Sequence, residues 1–540
     1  MRLLESLDCK KGITLNSQLV DLLSIIDESI PPEEQDKKIQ DYIASLEKRQ
    51  NEYIEASEQG VGARHKYLVD ATIDANESLS PEQREQLKSL YLSNLGNIYD
   101  SSKMQQILQS SGFEPSINET VLKDLKNIDY TAKEGVLSLT PEKVRAFYSH
   151  LFNGDKNTYD RVTFDNAGKY SLYVSVDGKT YANERLDKMV QFCEKHGMKS
   201  KINTFMFYCD FPKLLETHLQ TKVDSGEITE DGKKEALKES LMGYVEHIGK
   251  TYGDRIDAVD IFNELIYDPH MKEEGFDELP TYHQRTEGWQ KYLSTRDLCE
   301  MALMARKLMP NATFTYNDMN WVEPKKRKEM IKVVQEIQQI EQEYREQGKL
   351  GENESLIDNI GFEAHLTTGV KTKQIEKAFE EVTKKLRLPI EVTELDCART
   401  GEDQLSKVEI SKQRKVFSKI TEMAKKYKCE ALTIWSQSDE LSFMNDKCQR
   451  KVYASMLDDN FEEKDISPVM EYDEKKRNIF KSIISRISGK GEKTLPPVAE
   501  DVSQSYNGFR EQLESTVKEE YDDSEIKHSQ DTSIQRDKSI

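Results

Sequence analysis

Two glutamates, Glu264 and Glu394, could supply a pair of opposed carboxyl groups. Each follows an apolar segment typical of a buried strand, IDAVDIFN before Glu264 and PIEVT before Glu394. Two carboxyl groups that face each other across a cleft are what glycosidic bond cleavage requires, because one protonates the leaving oxygen and the other attacks or positions water. Either glutamate alone is better explained as a surface residue at a strand end. Together, beside an amide and a histidine, they favour a catalytic pair.

Further polar side chains stand where neighbouring strand segments end. Reactive side chains of a parallel barrel come from the carboxyl ends of its strands, since the following loops form its open concave face. The candidates at these ends are Asn263, Tyr316, Asn317, Glu363, His365, Asp396 and Trp435. Both His365 and Trp435 are also consistent with ordinary core packing.

The elements that must position these residues alternate between short β-branched or aromatic runs and long helical stretches. Eight strand-then-helix units within about 360 residues predict a (β/α)8 TIM barrel with insertions, an α/β fold. The predicted strands cover residues 133–138, 160–166, 200–208, 256–264, 312–318, 357–366, 389–396 and 431–438.

The segments on either side of the predicted barrel differ from it in composition. Residues 1–130 are predicted to form a helical N-terminal region, with a helix start at Ser80-Pro81-Glu82-Gln83 that has the capping-box pattern. The barrel is expected over 131–487. Residues 488–540 have few apolar side chains, so we expect a disordered C-terminal tail, or else a docking helix around 506–518.

Composition limits the partners and the compartment. The chain of 540 residues has 98 acidic and 77 basic side chains, a net charge of -21, which argues against nucleic acid or an anionic membrane as its main partner. Its seven cysteines are scattered without a CxxC pair, so we expect no structural metal site and no cofactor, and a reducing compartment. With no signal-peptide pattern visible, a cytoplasmic location is expected, with export by another route as the alternative.

These residues together resemble glycoside hydrolase family 10, the family of retaining endo-1,4-β-xylanases. Residues 257–264 (DAVDIFNE) are similar to its W-D-V-V-N-E segment, and residues 390–396 (IEVTELD) to its I-x-V-T-E-L-D segment. Residues 316–318 match Y-N-D, residues 433–435 match T-x-W, and residues 163–170 (TFDNAGKY) resemble T-x-E-N-x-x-K-W. The similarity runs from about residue 130 to 487 with the segments in the family's order.

The resemblance implies a role for each matched residue and a polysaccharide or oligosaccharide as substrate. Glu264 would be the general acid/base and Glu394 the nucleophile of a retaining reaction, with carboxyl groups about 5–5.5 Å apart. His365 would bridge the nucleophile and Asp396. The residues implied to contact sugar are Asn263 at the 2-hydroxyl, Asn166 and Lys169 at other hydroxyls, and Trp435 as a stacking platform, with Tyr316 and Asn317 in support.

Several positions depart from the family pattern. The H-T-L-x-W-H of strand three is NTFMFY at 203–208, so Asn203 and Tyr208 replace both histidines. The Q-x-H of strand six is EAH, so Glu363 places a third carboxyl group where an amide is usual, and like-charge coupling should raise one pKa. The second tryptophan of the last loop is Phe443. We expect an altered sugar or chain-length preference rather than an inactive protein.

Three functions are consistent with these residues. The leading hypothesis is a retaining hydrolase of β-1,4-linked xylan or xylo-oligosaccharides. A non-catalytic carbohydrate-binding or interaction protein on the same barrel is the second, motivated by the strand-three replacements. The third is a related barrel hydrolase acting on a mannan or glucan. Neither the oligomeric state nor the endo or exo mode of action follows from the sequence.

Overall fold

The computed structural model describes residues 7–465 except for 28, 77, 95–100, 119–120, 122–138, 154–155, 175–177, 181–183, 270–280, 402 and 446–450. The predicted strand at 133–138 and the predicted tail at 488–540 therefore lie outside the described residues.

Eight parallel strands close into a barrel. Each strand pairs with the next in chain order, and the last pairs with the first, so the ring leaves no free edge. The strands are β1 (Lys10–Leu15), β2 (Arg161–Asp165), β3 (Lys199–Asn203), β4 (Ala258–Asn263), β5 (Thr313–Met319), β6 (Asn359–Thr367), β7 (Ile390–Ala398) and β8 (Ala431–Ile434). This confirms the predicted (β/α)8 barrel, with seven of its strands at the predicted places.

The first strand is not where the sequence analysis placed it. Ile13 on β1 pairs with Val162 on β2 and with Ile434 on β8, and its side chain is fully buried. The assignment of all residues up to 130 to a region outside the barrel is therefore wrong for β1 and for the helix Ser17–Ser24 that follows it. A six-residue strand followed by some 145 residues before β2 carries no alternation of strand and helix by which to recognise it.

Helices surround the barrel because each carries one apolar face. In Glu230–Tyr252, for example, the buried side chains Leu237, Leu241, Tyr244 and Ile248 recur at helical spacing. The helices around the barrel are Ser17–Ser24, Pro141–Leu151, Glu184–Lys195, Lys213–Asp224, Glu230–Tyr252, Thr295–Leu308, Pro324–Glu346, Thr372–Leu386 and Lys407–Lys426. Short strands lie at Phe152–Asn153, Lys156–Asn157, Met206–Phe207, Ile266–Tyr267 and His283–Gln284, and 3₁₀ turns at Tyr170–Leu172, Tyr208–Asp210 and Gly288–Lys291.

A helical insertion separates β1 from β2. Its helices are Pro32–Glu58, Val61–Asp74, Pro81–Leu92 and Ser101–Ser110. They enclose a small apolar core of their own, distinct from the barrel core, with Leu68, Leu87 and Leu108 almost fully buried. The predicted capping box is present, since the Ser80 hydroxyl accepts from the backbone N–H of Gln83 and the Gln83 side chain accepts from the backbone of Ser80. The helical character of this region is thus confirmed for the described residues.

Charged side chains fill the barrel interior beneath its carboxyl end. The Lys201 ammonium lies 2.7 Å from Glu391 and 2.8 Å from Asp260, and Arg161 also pairs with Glu391. Burial alone would raise the pKa of Glu391, but the Arg161 and Lys201 charges outweigh it and lower that pKa to about 2. Burial raises the pKa of Asp260 to about 6 against the opposing charge of Lys201. This layer is a rigid polar floor on which the residues above are held.

Two further features of the described residues concern the cysteines and the helices. Six cysteines in the described part of the chain are free thiols. Among the described helices, none has both the length and the apolar composition needed to span a bilayer.

Candidate active site

The two predicted catalytic glutamates lie at the carboxyl ends of β4 and β7, close enough for their charges to interact. Glu264 follows β4 directly and has a backbone φ of +50°, which is uncommon for a residue with a side chain. Its N–H donates to the carbonyl of Asn317 at 2.8 Å, which fixes this turn against β5. Both side chains are almost fully buried, with 2 % of Glu264 and 5 % of Glu394 exposed.

Three donors converge on the carboxylate of Glu394. Asn203 Nδ2 lies 3.2 Å and Asn317 Nδ2 3.3 Å from Oε1, and His365 Nε2 lies 2.8 Å from Oε2. Carboxylate oxygens can accept from all three of these side chains. These contacts fix the position of the Glu394 side chain.

His365 lies between two carboxylates, as the sequence predicted. Its Nδ1 is 2.9 Å from Oδ2 of Asp396, and its Nε2 faces Glu394. Burial alone would lower the pKa of His365, but the charges of Asp396 and Glu394 outweigh burial and raise that pKa to about 10. At neutral pH the ring is therefore an imidazolium that donates to both carboxylates.

Glu264 lies in a different electrostatic environment from Glu394. Burial raises its pKa to about 7, although Arg285 and Lys326 oppose the shift. The negative charges of Asp318 and Glu394 add to the increase. A carboxyl group with this pKa is about half protonated at neutral pH, which suits a residue that acts both as general acid and as general base.

Arg285 and Lys326 are functional residues that sequence reasoning missed. The guanidinium of Arg285 lies 3.8 Å from Oε2 of Glu264 and donates from Nε to the Glu264 carbonyl at 2.7 Å. Lys326 Nζ pairs with Asp318 Oδ1 at 2.9 Å, and its side chain is fully buried. The run Lys325-Lys326-Arg327 reads as an exposed basic helix face, so only tertiary structure identifies Lys326. For Arg285 the available signal was its position shortly after the acid/base segment.

Asn317 connects the parts of the site. Its Nδ2 lies 2.9 Å from Asn263 Oδ1 and 2.8 Å from Glu363 Oε1, and its Oδ1 accepts from Thr393 at 2.6 Å. The backbone of Gly361 packs so closely that a Cβ there would lie 2.5 Å from Asn317 Oδ1. The amide is therefore held in one orientation from several sides.

The supporting and sugar-contacting candidates lie at the same end of the barrel. Tyr316 donates its hydroxyl to Asp318 at 2.9 Å. Lys169 donates to the side chain of Asn166, and its ammonium lies 5.4 Å from the centre of the Phe207 ring. Half-buried Trp435 meets His365 edge to face with ring centres 6.0 Å apart. The predicted site residues thus lie in the middle or at the carboxyl end of a barrel strand, or in the loop that follows it, and the role of each stays a prediction.

Comparison with known proteins assigns the family. The sequence model described as glycosyl hydrolase family 10 matches residues 140–470, more than half of the chain. The chain belongs to glycosyl hydrolase family 10. That match begins after β1, so it omits the first strand and the helical insertion.

Curated relatives match part of this family 10 chain. It is 25 % identical over 340 residues to endo-1,4-beta-xylanase A of Thermotoga maritima, and the aligned part covers 61 % of this chain and 28 % of that protein. It is 25 % identical over 293 residues to endo-1,4-beta-xylanase A of Caldicellulosiruptor saccharolyticus, covering 52 % and 76 %. The chain spans about a quarter of the length of the two Thermotoga relatives, at 28 % and 22 %.

Solved structures of xylanases match the chain at similar identity. Native xylanase 10B from Thermotoga maritima has 19 % identity and a TM-score of 0.45, with 63 % of this chain and 91 % of that chain covered. Xylanase XynB from Paenibacillus barcinonensis has 22 % identity and a TM-score of 0.46, with 60 % and 91 % covered.

The strand-three departures from the family 10 pattern form one wall beside the acid/base. Tyr208 is buried, and the Arg285 guanidinium stacks 3.3 Å from its ring centre. Asn203 is shared between the floor and the nucleophile, because its Nδ2 also lies 3.3 Å from Asp260 Oδ2. Of these two replacements, Tyr208 therefore contacts Arg285, and Asn203 contacts Glu394 and Asp260.

Glu363 is the other departure, and the structure places it beside Glu394. Burial raises its pKa well above the usual value, and the charges of Glu394 and Glu264 add to the increase. Within the described ranges, Glu363, His365 and Glu394 are the group whose ligand atoms, all within 4.8 Å of one another, could hold a metal ion. His365 is already bonded to two carboxylates, so the contacts observed there are those of a hydrogen-bonded site.

Proposed function

We propose that the protein is a retaining glycoside hydrolase that cleaves β-1,4-linked xylan or xylo-oligosaccharides by double displacement. Glu264 acts as the general acid/base and Glu394 as the nucleophile. The observation that carries this proposal is the contrast between the two environments. Burial raises the pKa of Glu264 to about 7, whereas three donors converge on Glu394. A buried carboxyl group with a raised pKa, opposite a second carboxyl group held by several donors, is the pattern of an acid paired with a nucleophile.

The first step breaks the glycosidic bond. Glu264 gives its proton to the glycosidic oxygen while a carboxylate oxygen of Glu394 attacks the anomeric carbon from the opposite face. The bond between the anomeric carbon and the leaving oxygen breaks, and an ester forms between the sugar and Glu394. The leaving part of the chain departs with the proton, and Glu264 becomes a carboxylate.

The second step releases the sugar from Glu394. Glu264 now takes a proton from water, and the water oxygen attacks the anomeric carbon. The ester bond breaks, so Glu394 is again a carboxylate and Glu264 again a neutral acid. Two inversions give net retention of the β configuration. The imidazolium of His365 stabilises Glu394 as nucleophile and as leaving group, and Asp396 holds that ring in place.

The sugar is positioned by the remaining residues of the mouth. In this proposal Asn263 contacts the 2-hydroxyl, Asn166 and Lys169 contact neighbouring hydroxyls, and Trp435 stacks on a ring. Support for xylan as the polymer comes from the names of the curated relatives, which are endo-1,4-beta-xylanases.

Replacing the nucleophile tests the mechanism. In Glu394→Ala, release of the phenol from an aryl β-xylobioside should be abolished, and azide should restore part of the turnover by attacking from the nucleophile's side. The product would be the azide of inverted, α configuration. As matched control, Glu341→Gln alters a buried glutamate that binds Arg345 and the Leu356 backbone, and it should behave as wild type with no effect of azide. Equal rates in wild type and Glu394→Ala would refute the proposal.

A related β-glycan is the second candidate substrate, because strand three departs from the family pattern at Tyr208, whose ring stacks on Arg285. Hydrolysis of xylan, arabinoxylan, mannan and mixed-linkage glucan by the full chain, with product sizes recorded, separates the two. Faster cleavage of mannan or glucan than of xylan would favour this second candidate.

A further inference from the structure

The double displacement leaves one carboxyl group of the site without a role. Glu363 lies on β6, where its backbone pairs with Glu394 on β7 and with Met319 on β5. A register irregularity falls between Phe362 and Glu363, at the point where the strand meets the site. The side chain is 3 % exposed, so it belongs to the interior of the mouth rather than to its rim.

Glu363 and Glu394 share their surroundings closely. Asn317 Nδ2 lies 2.8 Å from Glu363 Oε1 and 3.3 Å from Glu394 Oε1. Carboxyl oxygens of the two glutamates also lie within 4.8 Å of each other. Two ionised carboxylates this close in a buried site repel strongly, so a single negative charge on the pair is favoured.

The cations nearby are bonded to other carboxylates. Lys326 pairs with Asp318, and His365 bonds to both Glu394 and Asp396. Glu363 therefore faces three acidic groups on neighbouring elements, Glu394, Glu264 and Asp318, and the positive charges nearby are those of Lys326 and of His365, whose ring nitrogen lies within 4.8 Å. Burial and these charges raise its pKa well above the usual value, so the proton of the pair resides on Glu363.

We propose that Glu363 is a positioning residue that works as a neutral carboxylic acid beside Glu394, and that loss of its proton inactivates the site. The inference rests on the proposed function. One oxygen of the protonated carboxyl group accepts from Asn317, and the other carries an O–H group that can donate. The amide of the family pattern also offers a donor at this position. When it ionises, that donor is lost and a second negative charge lies beside the nucleophile.

An activated substrate isolates this ionisation from that of Glu264. A dinitrophenyl β-xylobioside has a leaving group that needs no protonation, so the alkaline decline of kcat/KM no longer reports the general acid. Wild type, Glu363→Gln and Glu363→Met are compared between pH 6 and about 10, each normalised to its own maximum, and Glu341→Gln is the matched control. Folding of each variant is checked by circular dichroism, and the methionine variant serves if the glutamine variant does not fold.

We expect kcat/KM of wild type and of the control to fall about tenfold for each pH unit above the pKa of Glu363. In both non-ionisable variants this decline should be absent and replaced by a later one set by His365. The methionine variant should also have the lower maximum, since it lacks the donor. An alkaline decline at the same pH in wild type and in the non-ionisable variants would overturn the inference. Activity of Glu394→Ala at the wild-type level would instead overturn the proposed function.

Discussion

Removing the positive charge of Arg285 should move the alkaline limit of activity to higher pH. The Arg285 guanidinium is fully buried and lies 3.8 Å from Oε2 of Glu264. It favours the ionised form of the acid, so Arg285→Met should raise the pKa of Glu264 from about 7. Because a general acid must be protonated to act, the variant should retain its acid to higher pH than wild type.

The size of the shift follows from the distance. Two unit charges 3.8 Å apart interact by about 4 kcal/mol at an effective dielectric constant of about 20, which corresponds to about 3 pKa units. Relaxation of the site reduces this value, and opposite charges at such distances usually shift a carboxyl pKa by about 1–3 units. Since Lys326 still acts on Glu264, we expect a pKa of about 8–10 in the variant.

The assay is the pH dependence of kcat/KM with xylo-oligosaccharides, whose cleavage requires the acid. It is measured in the wild-type and Glu363→Gln backgrounds, so that the second ionisation does not limit the shift. Arg285→Lys should give a smaller shift, and Arg255→Met, which removes an exposed charge paired with Glu194, should give none. An unchanged alkaline limit in Arg285→Met, or a move to lower pH, would refute the electrostatic role given to Arg285.

Four other substitutions test three separate parts of the structure. Glu264→Gln should slow cleavage of xylo-oligosaccharides by about 10²–10⁴-fold but that of dinitrophenyl glycosides far less, and an equal loss on both substrates would reassign the residue. Asp396→Asn should lower the pKa of His365 from about 10 by about 1–3 units, read from the imidazole resonances by NMR. A histidine whose pKa is raised on folding stabilises the fold fully below about pH 6.5, and this stabilisation is lost as pH rises through 10. Asp396→Asn should therefore lower the free energy of unfolding at neutral pH and change it little near pH 10. Ile13→Ala should lower the free energy of unfolding of the barrel by about 2–5 kcal/mol, measured by denaturant titration followed through enzyme activity. Leu68→Ala should destabilise the helical insertion and leave the denaturant midpoint of the barrel unchanged.

Strands that alternate with helices could be located from the sequence, and isolated ones could not. β2 to β8 follow one another at regular spacing, and each begins or ends within a few residues of its predicted place. β1 is short, begins at Lys10 and is separated from β2 by the helical insertion, so its pairing with Ile434 and Val162 depends on contacts across more than 140 residues. Local pattern contains no information about such contacts.

The same distinction applies to the site. The bridge from Asp396 through His365 to Glu394 could be predicted, because these residues occupy neighbouring strand ends with a recognisable pattern. Arg285 and Lys326 could not, because each reaches the acid from an element outside the barrel strands. Their charges oppose the rise in the pKa of Glu264 that its own burial causes, and their positions beside it cannot be seen in the residues around them in the sequence.

The most direct test of the central claim is to trap the sugar on the protein. A 2-deoxy-2-fluoro xylobioside with a dinitrophenyl leaving group should react once, because fluorine slows the second step more than the activated first step. Mass spectrometry of the full chain should then show a gain of one fluorinated xylobiosyl group, and peptide mapping should place it on Glu394. No covalent gain while normal substrate is hydrolysed, or a label on any other residue, would contradict a double displacement through Glu394.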